Sequence, residues 1–247
     1  MSKEQLYIIG GKHAVIECLK NIKRDIKTIY VNSQKNFELI NSLNSRNIQI
    51  ELKIGDKFNK LFTDKEFVHQ GFAALVHSLI NKNLETYLQL KKSINENSVF
   101  IILDGIEDDR NIGSIIRSSS AFGVDGIIMN KREYRNKSIY LHKTASGAIE
   151  HIPVFAMSNV VNALEILKKN NFWIYAMDGK AKNSIYKEKF TANTVFIFGS
   201  ENKGMRNILL IKSDRTLSIP MQNKIDSLNV ANAVTAALAI YKANLQK

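Results

Sequence analysis

The sequence predicts an α/β protein whose C-terminal domain is built on a mostly parallel sheet, preceded by a smaller α/β domain. From residue 98 onward, short apolar strands alternate with helices, which is typical of a parallel sheet covered on both faces. Residues 5–80 contain a shorter α/β alternation, and residues 81–97 are polar and charged. We therefore expect an N-terminal domain over 1–80, a linker or linking helix over 81–97, and a second domain over 98–247.

Hydrophobic periodicity places the elements of both domains. In the first domain it predicts helices over 12–21 and 36–46 and strands over 27–31, 48–52 and 72–77. In the second it predicts strands over 99–104, 126–129, 152–157, 172–177, 195–198 and 216–219, and helices over 113–122, 159–169 and 227–244. Open parallel sheets bind ligands beyond the carboxyl ends of their strands. Chemistry is therefore expected in the loops after residues 104, 177, 198 and 219.

Composition narrows the class of protein. No apolar run reaches the 18 or so residues of a membrane span, and the N-terminus lacks a signal-peptide pattern. Cys18 is the single cysteine, so an internal disulfide is excluded. The histidines show no zinc-ligand spacing, and neither a P-loop nor a GxGxxG turn is found. We expect a cytoplasmic protein that needs no metal.

The net charge of +12 and the pI near 9.6 suit a polyanionic partner such as nucleic acid. A solvated, lysine-rich surface would give the same totals. Two basic stretches favour a nucleic-acid partner and predict a basic rim around the loops in which chemistry is expected. They are Lys131, Arg132, Arg135, Lys137, His142 and Lys143, and then Lys203, Arg206, Lys212, Arg215 and Lys224.

Three segments of the second domain carry candidate chemistry. In residues 103–129 a strand is followed by a polar loop with Asn111, a candidate helix cap, and by a helix that presents Arg117. In residues 195–205 a buried strand breaks into Gly199-Ser200-Glu201, where glycine lets a ligand approach the backbone. Alone, each segment is equally compatible with an ordinary turn and a surface charge.

The third segment, residues 216–241, joins a strand ending in Ile219-Pro220-Met221 to a helix that opens with Ser227-Leu228-Asn229. Ser227 is a natural N-cap, and the helix has a face of small residues. A capped core helix explains the helix itself but leaves the Pro-Met loop and the Ser-Leu-Asn sequence unexplained.

Together and in this order, the three segments resemble the motifs of the SpoU/TrmH (SPOUT) family of RNA ribose 2′-O-methyltransferases. Those motifs are N-x-G-x-x-x-R, F-G-x-E-x-x-G and I-P-M-x-G-x-x-x-S-L-N-V. Residues 142–150, HKTASGAIE, resemble another stretch of the family. The N-terminal segments YIIGGKHAVIECL and HQGFAALV resemble the L30e-like RNA-binding domain of bacterial 23S ribosomal RNA guanosine-2′-O-methyltransferases. Two positions depart from the pattern, since Asp109 replaces a proline and Asn223 replaces the glycine after I-P-M.

The resemblance implies a deep trefoil knot in the C-terminal domain and a homodimer with the C-terminal helix in its interface. It also implies S-adenosylmethionine as the methyl donor, with structured RNA as the substrate. The cofactor contacts that it implies are Gly199, Ile219, Leu228, Met177, Pro220 and Met221, and the catalytic residues are Arg117, Asn111, Glu201, Ser227 and Asn229.

The resemblance leaves roles and substrate open. Arg117 is either the base that takes the ribose proton or a bidentate holder of the RNA phosphate, and its high intrinsic pKa favours the second role. Glu201 is the alternative base or an orienting partner of Arg117. The expected substrate is a guanosine of 23S ribosomal RNA. Transfer RNA is the alternative substrate, and a non-catalytic knotted RNA-binding protein is the alternative class.

Overall fold

The computed structural model describes residues 6–79, 82–91, 98–190, 193–201, 203–222 and 227–245. Asn223, Lys224 and residues 81 and 92–97 of the predicted linker lie outside these residues. The chain divides into two compact units, one formed by residues 1–80 with 135–151 and the other by 81–134 with 152–247. Within the described residues, no helix is long and apolar enough to cross a membrane.

The first unit is a four-stranded sheet with helices packed on it. Its strands are β1 (Tyr7–Gly10), β2 (Ile26–Val31), β3 (Ile50–Leu52) and β4 (Phe72–Val76), in the order β1-β4-β2-β3. Its first helices are α1 (Lys12–Lys20), α2 (Gln34–Leu43) and the short α3 (Asp56–Asn59). Apolar residues of α1, α2 and the sheet form its core.

Residues 135–151 complete this first unit with helix α6 (Ile139–Ala145) and a 3-10 turn (Ala148–Glu150). The side chains of Arg24 and Glu150 are almost fully buried, and Arg24 Nε lies 3.6 Å from Glu150 Oε1. Arg24 Nη2 also donates to the Tyr7 hydroxyl at 2.8 Å. Gly147 has φ +88, and a Cβ there would lie 2.6 Å from the side chain of Glu17. The glycine of the HKTASGAIE stretch therefore permits close packing on α1.

The second unit is built on six parallel strands. They are β5 (Val99–Asp104), β6 (Gly126–Asn130), β7 (Val154–Met157), β8 (Trp173–Met177), β9 (Thr194–Gly199) and β10 (Arg215–Leu217), in the order β10-β8-β9-β5-β6-β7. Its helices are α4 (Leu84–Lys91), α5 (Asp109–Ala121), α7 (Val160–Lys169), α8 (Asn207–Lys212) and α9 (Val230–Leu245). The parallel sheet that the sequence predicts is therefore confirmed. The knot stays a prediction.

Both faces of this second sheet are covered. Leucines of α4 and α7 pack with β-strand residues such as Phe100 and Ile102 in one core cluster. Helix α5 packs on α9, where Thr235 Oγ1 lies 2.7 Å from Ser118 Oγ. Every residue of β5 is buried, as expected for a central strand between two helical layers.

Predicted strands agree with the structure more closely than predicted helix ends do. Helix α5 begins at Asp109 rather than 113, because Asp108 accepts hydrogen bonds from the backbone N–H groups of Arg110 and Asn111. Helix α9 begins at Val230 rather than 227. The pattern also missed β1 and the short helices α3, α6 and α8, which are too brief to show a period.

Candidate active site

A cavity of about 550 Å³ opens in the second unit beside the carboxyl ends of β8, β9 and β10. Its size lies within the range of small-molecule sites. The loops after these three strands and the start of α9 supply its lining: Met177, Asp178, Gly179, Lys180, Phe198, Gly199, Ser200, Glu201, Lys203, Gly204, Met205, Leu210, Ile219, Met221, Ser227, Leu228, Val230 and Ala233. Three of the four loops in which chemistry was expected thus line it. The loop after β5 does not.

The loop after β9 folds tightly on itself to form one wall of the cavity. Ser200 and Gly204 exchange backbone hydrogen bonds of 3.2 and 2.8 Å. A Cβ on Gly199 would lie 2.4 Å from the backbone of Gly204 and Met205. Only glycine therefore fits at position 199 with the loop closed.

Asp104 holds both ends of this loop. Its backbone pairs with Gly199 in the sheet, at the end of the β5–β9 register. Its buried carboxylate accepts from Arg206 Nε at 2.7 Å and from the Arg206 backbone N–H at 2.9 Å. Arg206 Nη2 lies 2.6 Å from Oδ1 of the same carboxylate. We call this pair the Asp104–Arg206 clasp. Its two residues lie 102 positions apart, and no pattern in the sequence predicts that they meet.

Glu201 connects the loop to the start of α9. Its Oε1 accepts from Asn229 Nδ2 at 2.9 Å and from the Val230 backbone N–H at 3.0 Å. Asn229 Nδ2 also lies 3.0 Å from Asn111 Oδ1. The structure therefore joins three of the predicted catalytic residues, one from each motif, in a single hydrogen-bonded network.

The predicted helix caps are wrong. Asn229, not Ser227, caps α9, since its Oδ1 accepts from the backbone N–H groups of Ala231 and Asn232 at 3.0 and 3.4 Å. Asn111 lies inside α5, which Asp108 caps. Ser227 instead lines the cavity.

The structure places the other predicted residues in two groups. Among the predicted cofactor contacts, Gly199, Ile219, Leu228, Met177 and Met221 line the cavity, whereas Pro220 is not among the lining residues. Arg117 is exposed on α5 and does not line the cavity. No hydrogen bond or ion pair joins Arg117 to any residue that the structure describes.

One member of the predicted basic rim carries no charge, and three others are paired with carboxylates. In the first unit, His142 is fully buried, and desolvation lowers the pKa of its imidazole to about 4, so it carries no charge near neutral pH. In the second unit, Arg206, Lys212 and Arg215 have carboxylate partners. Lys203 lines the cavity together with Lys180, a lysine that lies outside both predicted basic stretches.

The described residues contain no group of three or more histidine, cysteine, aspartate or glutamate side chains that could hold a metal ion. The cavity instead combines apolar side chains with glycine-rich loop backbone. Such a lining suits an organic ligand of moderate size with a few polar groups.

Comparisons with known proteins identify both parts of the chain. The family described as "SpoU rRNA Methylase family" matches residues 98–240, and "RNA 2'-O ribose methyltransferase substrate binding" matches residues 8–81. A putative TrmH family tRNA/rRNA methyltransferase of Bacillus subtilis, YacO, is 32% identical over 98% of this chain and 96% of its own.

Two solved structures share the fold along most of the chain. The SpoU methyltransferase AviRb from Streptomyces viridochromogenes, in complex with AdoMet, has a TM-score of 0.80 at 21% identity, covering 98% of this chain and 90% of its own. An AdoMet-bound rRNA methyltransferase from Sinorhizobium meliloti has a TM-score of 0.79 at 20% identity, covering 97% and 88%.

Proposed function

Since the chain belongs to the SpoU methylase family of RNA methyltransferases, we propose that it transfers the methyl group of S-adenosylmethionine to a ribose 2′-oxygen of structured RNA. The favoured target is a guanosine of 23S ribosomal RNA. The observation that carries this proposal is the cavity itself, because residues of the second and third motifs line it and the first motif joins them through Asn111.

The cavity fits S-adenosylmethionine in size and in lining. Its volume of about 550 Å³ is in the range of sites for ligands of this size. Met177, Ile219 and Leu228 offer apolar contacts, and the loop from Gly199 to Gly204 offers backbone groups. When bound there, the cofactor would supply a methyl group that its sulfonium already activates.

The residues of this chain would align the reaction and hold the RNA. Closure of the loop after β9 fixes one wall of the cavity, and fixed alignment of reacting atoms lowers a barrier by up to roughly 7–11 kcal/mol in ideal cases. The ribose oxygen would form a bond to the methyl carbon as the carbon–sulfur bond of the cofactor breaks, leaving S-adenosylhomocysteine, and the ribose proton would pass to solvent water. Arg117, exposed on α5, would grip the RNA phosphate next to the target through its planar fork of donors.

Glu201 takes a positioning role in this proposal rather than that of the base. Its Oε1 accepts two hydrogen bonds at the N-terminus of α9, where a carboxylate is favoured by the helix dipole. The structure pairs it with Asn229 and Val230 and not with Arg117. Glu201 would thus fasten the loop after β9 to the helix that carries Ser227 and Leu228.

The first unit supports RNA as the substrate, since residues 8–81 match a substrate-binding family. Ribosomal RNA is favoured over transfer RNA because this N-terminal part resembles that of the 23S-specific enzymes. A homodimer is also part of the proposal. Small residues on the exposed side of α9, such as Ala239 and Ala243, would let a second copy approach closely.

Methyl transfer to defined RNAs tests the proposed function. Labelled S-adenosylmethionine would be offered with unmethylated 23S ribosomal RNA and, separately, with bulk transfer RNA. We expect label at a ribose 2′-oxygen of the 23S RNA. Label in transfer RNA alone would keep the chemistry and overturn the substrate. No label in either RNA, together with no binding of S-adenosylmethionine, would favour the non-catalytic RNA-binding protein.

The Asp104–Arg206 clasp predicts that Arg206→Gln weakens cofactor binding from outside the cavity. Removing the guanidinium leaves the buried carboxylate short of partners and frees one end of the loop after β9. We expect the dissociation constant for S-adenosylmethionine to rise about tenfold, with a loss of roughly 1–3 kcal/mol in unfolding free energy. Titration calorimetry and thermal unfolding measure the two effects.

Arg215→Gln is the matched control. Arg215 is exposed like Arg206 and pairs at 2.8 Å with the buried carboxylate of Glu188, but neither residue lines the cavity. We expect a similar loss of stability with unchanged cofactor affinity. Equal losses of affinity in the two variants would mean that the clasp acts only through general stability.

A further inference from the structure

Lys180 and Lys203 are the cationic side chains among the residues that line the cavity. Both are exposed, and neither has an ion-pair or side-chain hydrogen-bond partner among the described residues. Several other cations of this unit do have carboxylate partners, namely Lys91, Lys168, Lys212, Arg206 and Arg215.

Backbone contacts fix the loops that carry the two lysines. The Lys180 N–H donates to Asp178 Oδ1 at 2.9 Å, in the turn after β8. The Lys203 N–H donates to Ser200 Oγ at 3.3 Å, inside the loop after β9. The two free ammonium groups are thus presented at the cavity from two adjacent strands, β8 and β9.

The charge of the cofactor does not explain these lysines. S-adenosylmethionine carries a sulfonium, an ammonium and a carboxylate, so its net charge is positive. The lining also contains the carboxylates of Asp178 and Glu201, which attract such a ligand. The two lysines repel the sulfonium and ammonium groups, so on electrostatic grounds they would offset that attraction and weaken the binding of the free cofactor. An RNA phosphate beside the cavity would remove the offset.

We propose that Lys180 and Lys203 couple the two substrates of this site, binding an RNA phosphate and thereby raising the affinity of the cavity for S-adenosylmethionine. This inference rests on the proposed function. Once phosphate oxygens neutralise the ammonium groups, the carboxylates of Asp178 and Glu201 act on the sulfonium without opposition. Thermodynamic linkage requires the reverse effect of equal size, so the bound cofactor also tightens RNA binding.

The test variant is Lys180→Gln/Lys203→Gln, and Lys168→Gln/Lys169→Gln, which loses the same amount of charge, is its control. The control removes the same charge at the end of α7, where the chain leads into the amino end of β8. Neither control residue lines the cavity. Cofactor binding would be measured by calorimetry without RNA, and RNA binding by filter retention of an unmodified 23S ribosomal RNA transcript over a range of salt.

Opposite changes in the two affinities are expected. Without RNA, the test variant should bind S-adenosylmethionine about 2- to 10-fold more tightly than the wild type. Its RNA affinity should fall, with the slope of log affinity against log salt reduced by about 1.4 for two lost single-strand phosphate contacts. S-adenosylhomocysteine, which lacks the sulfonium charge, should gain less affinity. The control variant should bind S-adenosylmethionine and S-adenosylhomocysteine with the affinities of the wild type.

Two outcomes would overturn the coupling. Weaker binding of S-adenosylmethionine to the test variant would mean that the lysines bind the carboxylate of the cofactor. Unchanged cofactor affinity would mean that their charge does not affect cofactor binding. Methyl transfer by the wild type decides the proposed function separately. A protein that methylates RNA but fails the affinity test loses only this inference.

Discussion

Gly199→Ala is expected to lower the affinity for S-adenosylmethionine by at least about 30-fold. It should also lower kcat/KM for methyl transfer by about 100-fold or more, because a misplacement of the reacting groups by about 1 Å can reduce the rate by that factor. The added methyl group would lie 2.4 Å from backbone atoms of Gly204 and Met205. Backbone cannot rotate away as a flexible side chain can, so the loop after β9 must open. Calorimetry and steady-state kinetics measure the two losses.

Gly179→Ala is the control for this prediction. Gly179 lines the same cavity, but a Cβ there would meet only Met221 Cε, at 4.0 Å. We expect a change of less than about threefold in affinity and rate. Circular dichroism and thermal unfolding establish that both variants fold. Normal cofactor binding by a folded Gly199→Ala protein would show that the closed loop is not needed for the cavity.

The contrast between these two glycines also shows what could be predicted from the sequence. The long apolar strands of the second unit, such as Val99–Asp104, are evident in the sequence because burial on both faces demands continuous hydrophobicity. The motif residues of the loops could be found by resemblance. The reason why glycine is needed at position 199 could not be predicted, because a Cβ there would clash with backbone that only the three-dimensional path of the loop brings near.

Contacts between distant parts of the chain were likewise invisible in the sequence. Asp104 and Arg206 pair across 102 positions, and each alone is an ordinary charged residue near a strand end. Ser227 and Asn229 are both good N-caps by residue type. In the structure Asn229 is the cap, and Glu201 accepts hydrogen bonds from both Asn229 Nδ2 and the Val230 N–H. Local residue propensity contains no information on a distant partner such as Glu201.

Arg117→Ala is the variant for which we expect the largest loss of activity that leaves cofactor binding intact. If Arg117 holds the phosphate beside the target ribose, its loss removes a bidentate charge-assisted contact and the alignment that depends on it. We expect kcat/KM for RNA to fall by about 100-fold or more. Since Arg117 does not line the cavity, the dissociation constant for S-adenosylmethionine should stay within about threefold of the wild type.

Arg117→Lys distinguishes the phosphate contact from the role of the base. Lysine keeps the charge but lacks the planar fork, so a phosphate contact predicts partial activity with an unchanged pH profile. A neutral base predicts an apparent pKa near lysine's ordinary value of about 10.4 in the profile of this variant. Single-turnover rates between about pH 6 and 10 measure the difference, with Arg215→Ala as the control for loss of an arginine outside the cavity lining. Activity of Arg117→Ala within about threefold of the wild type would exclude both roles and shift attention to the network of Asn111, Glu201 and Asn229.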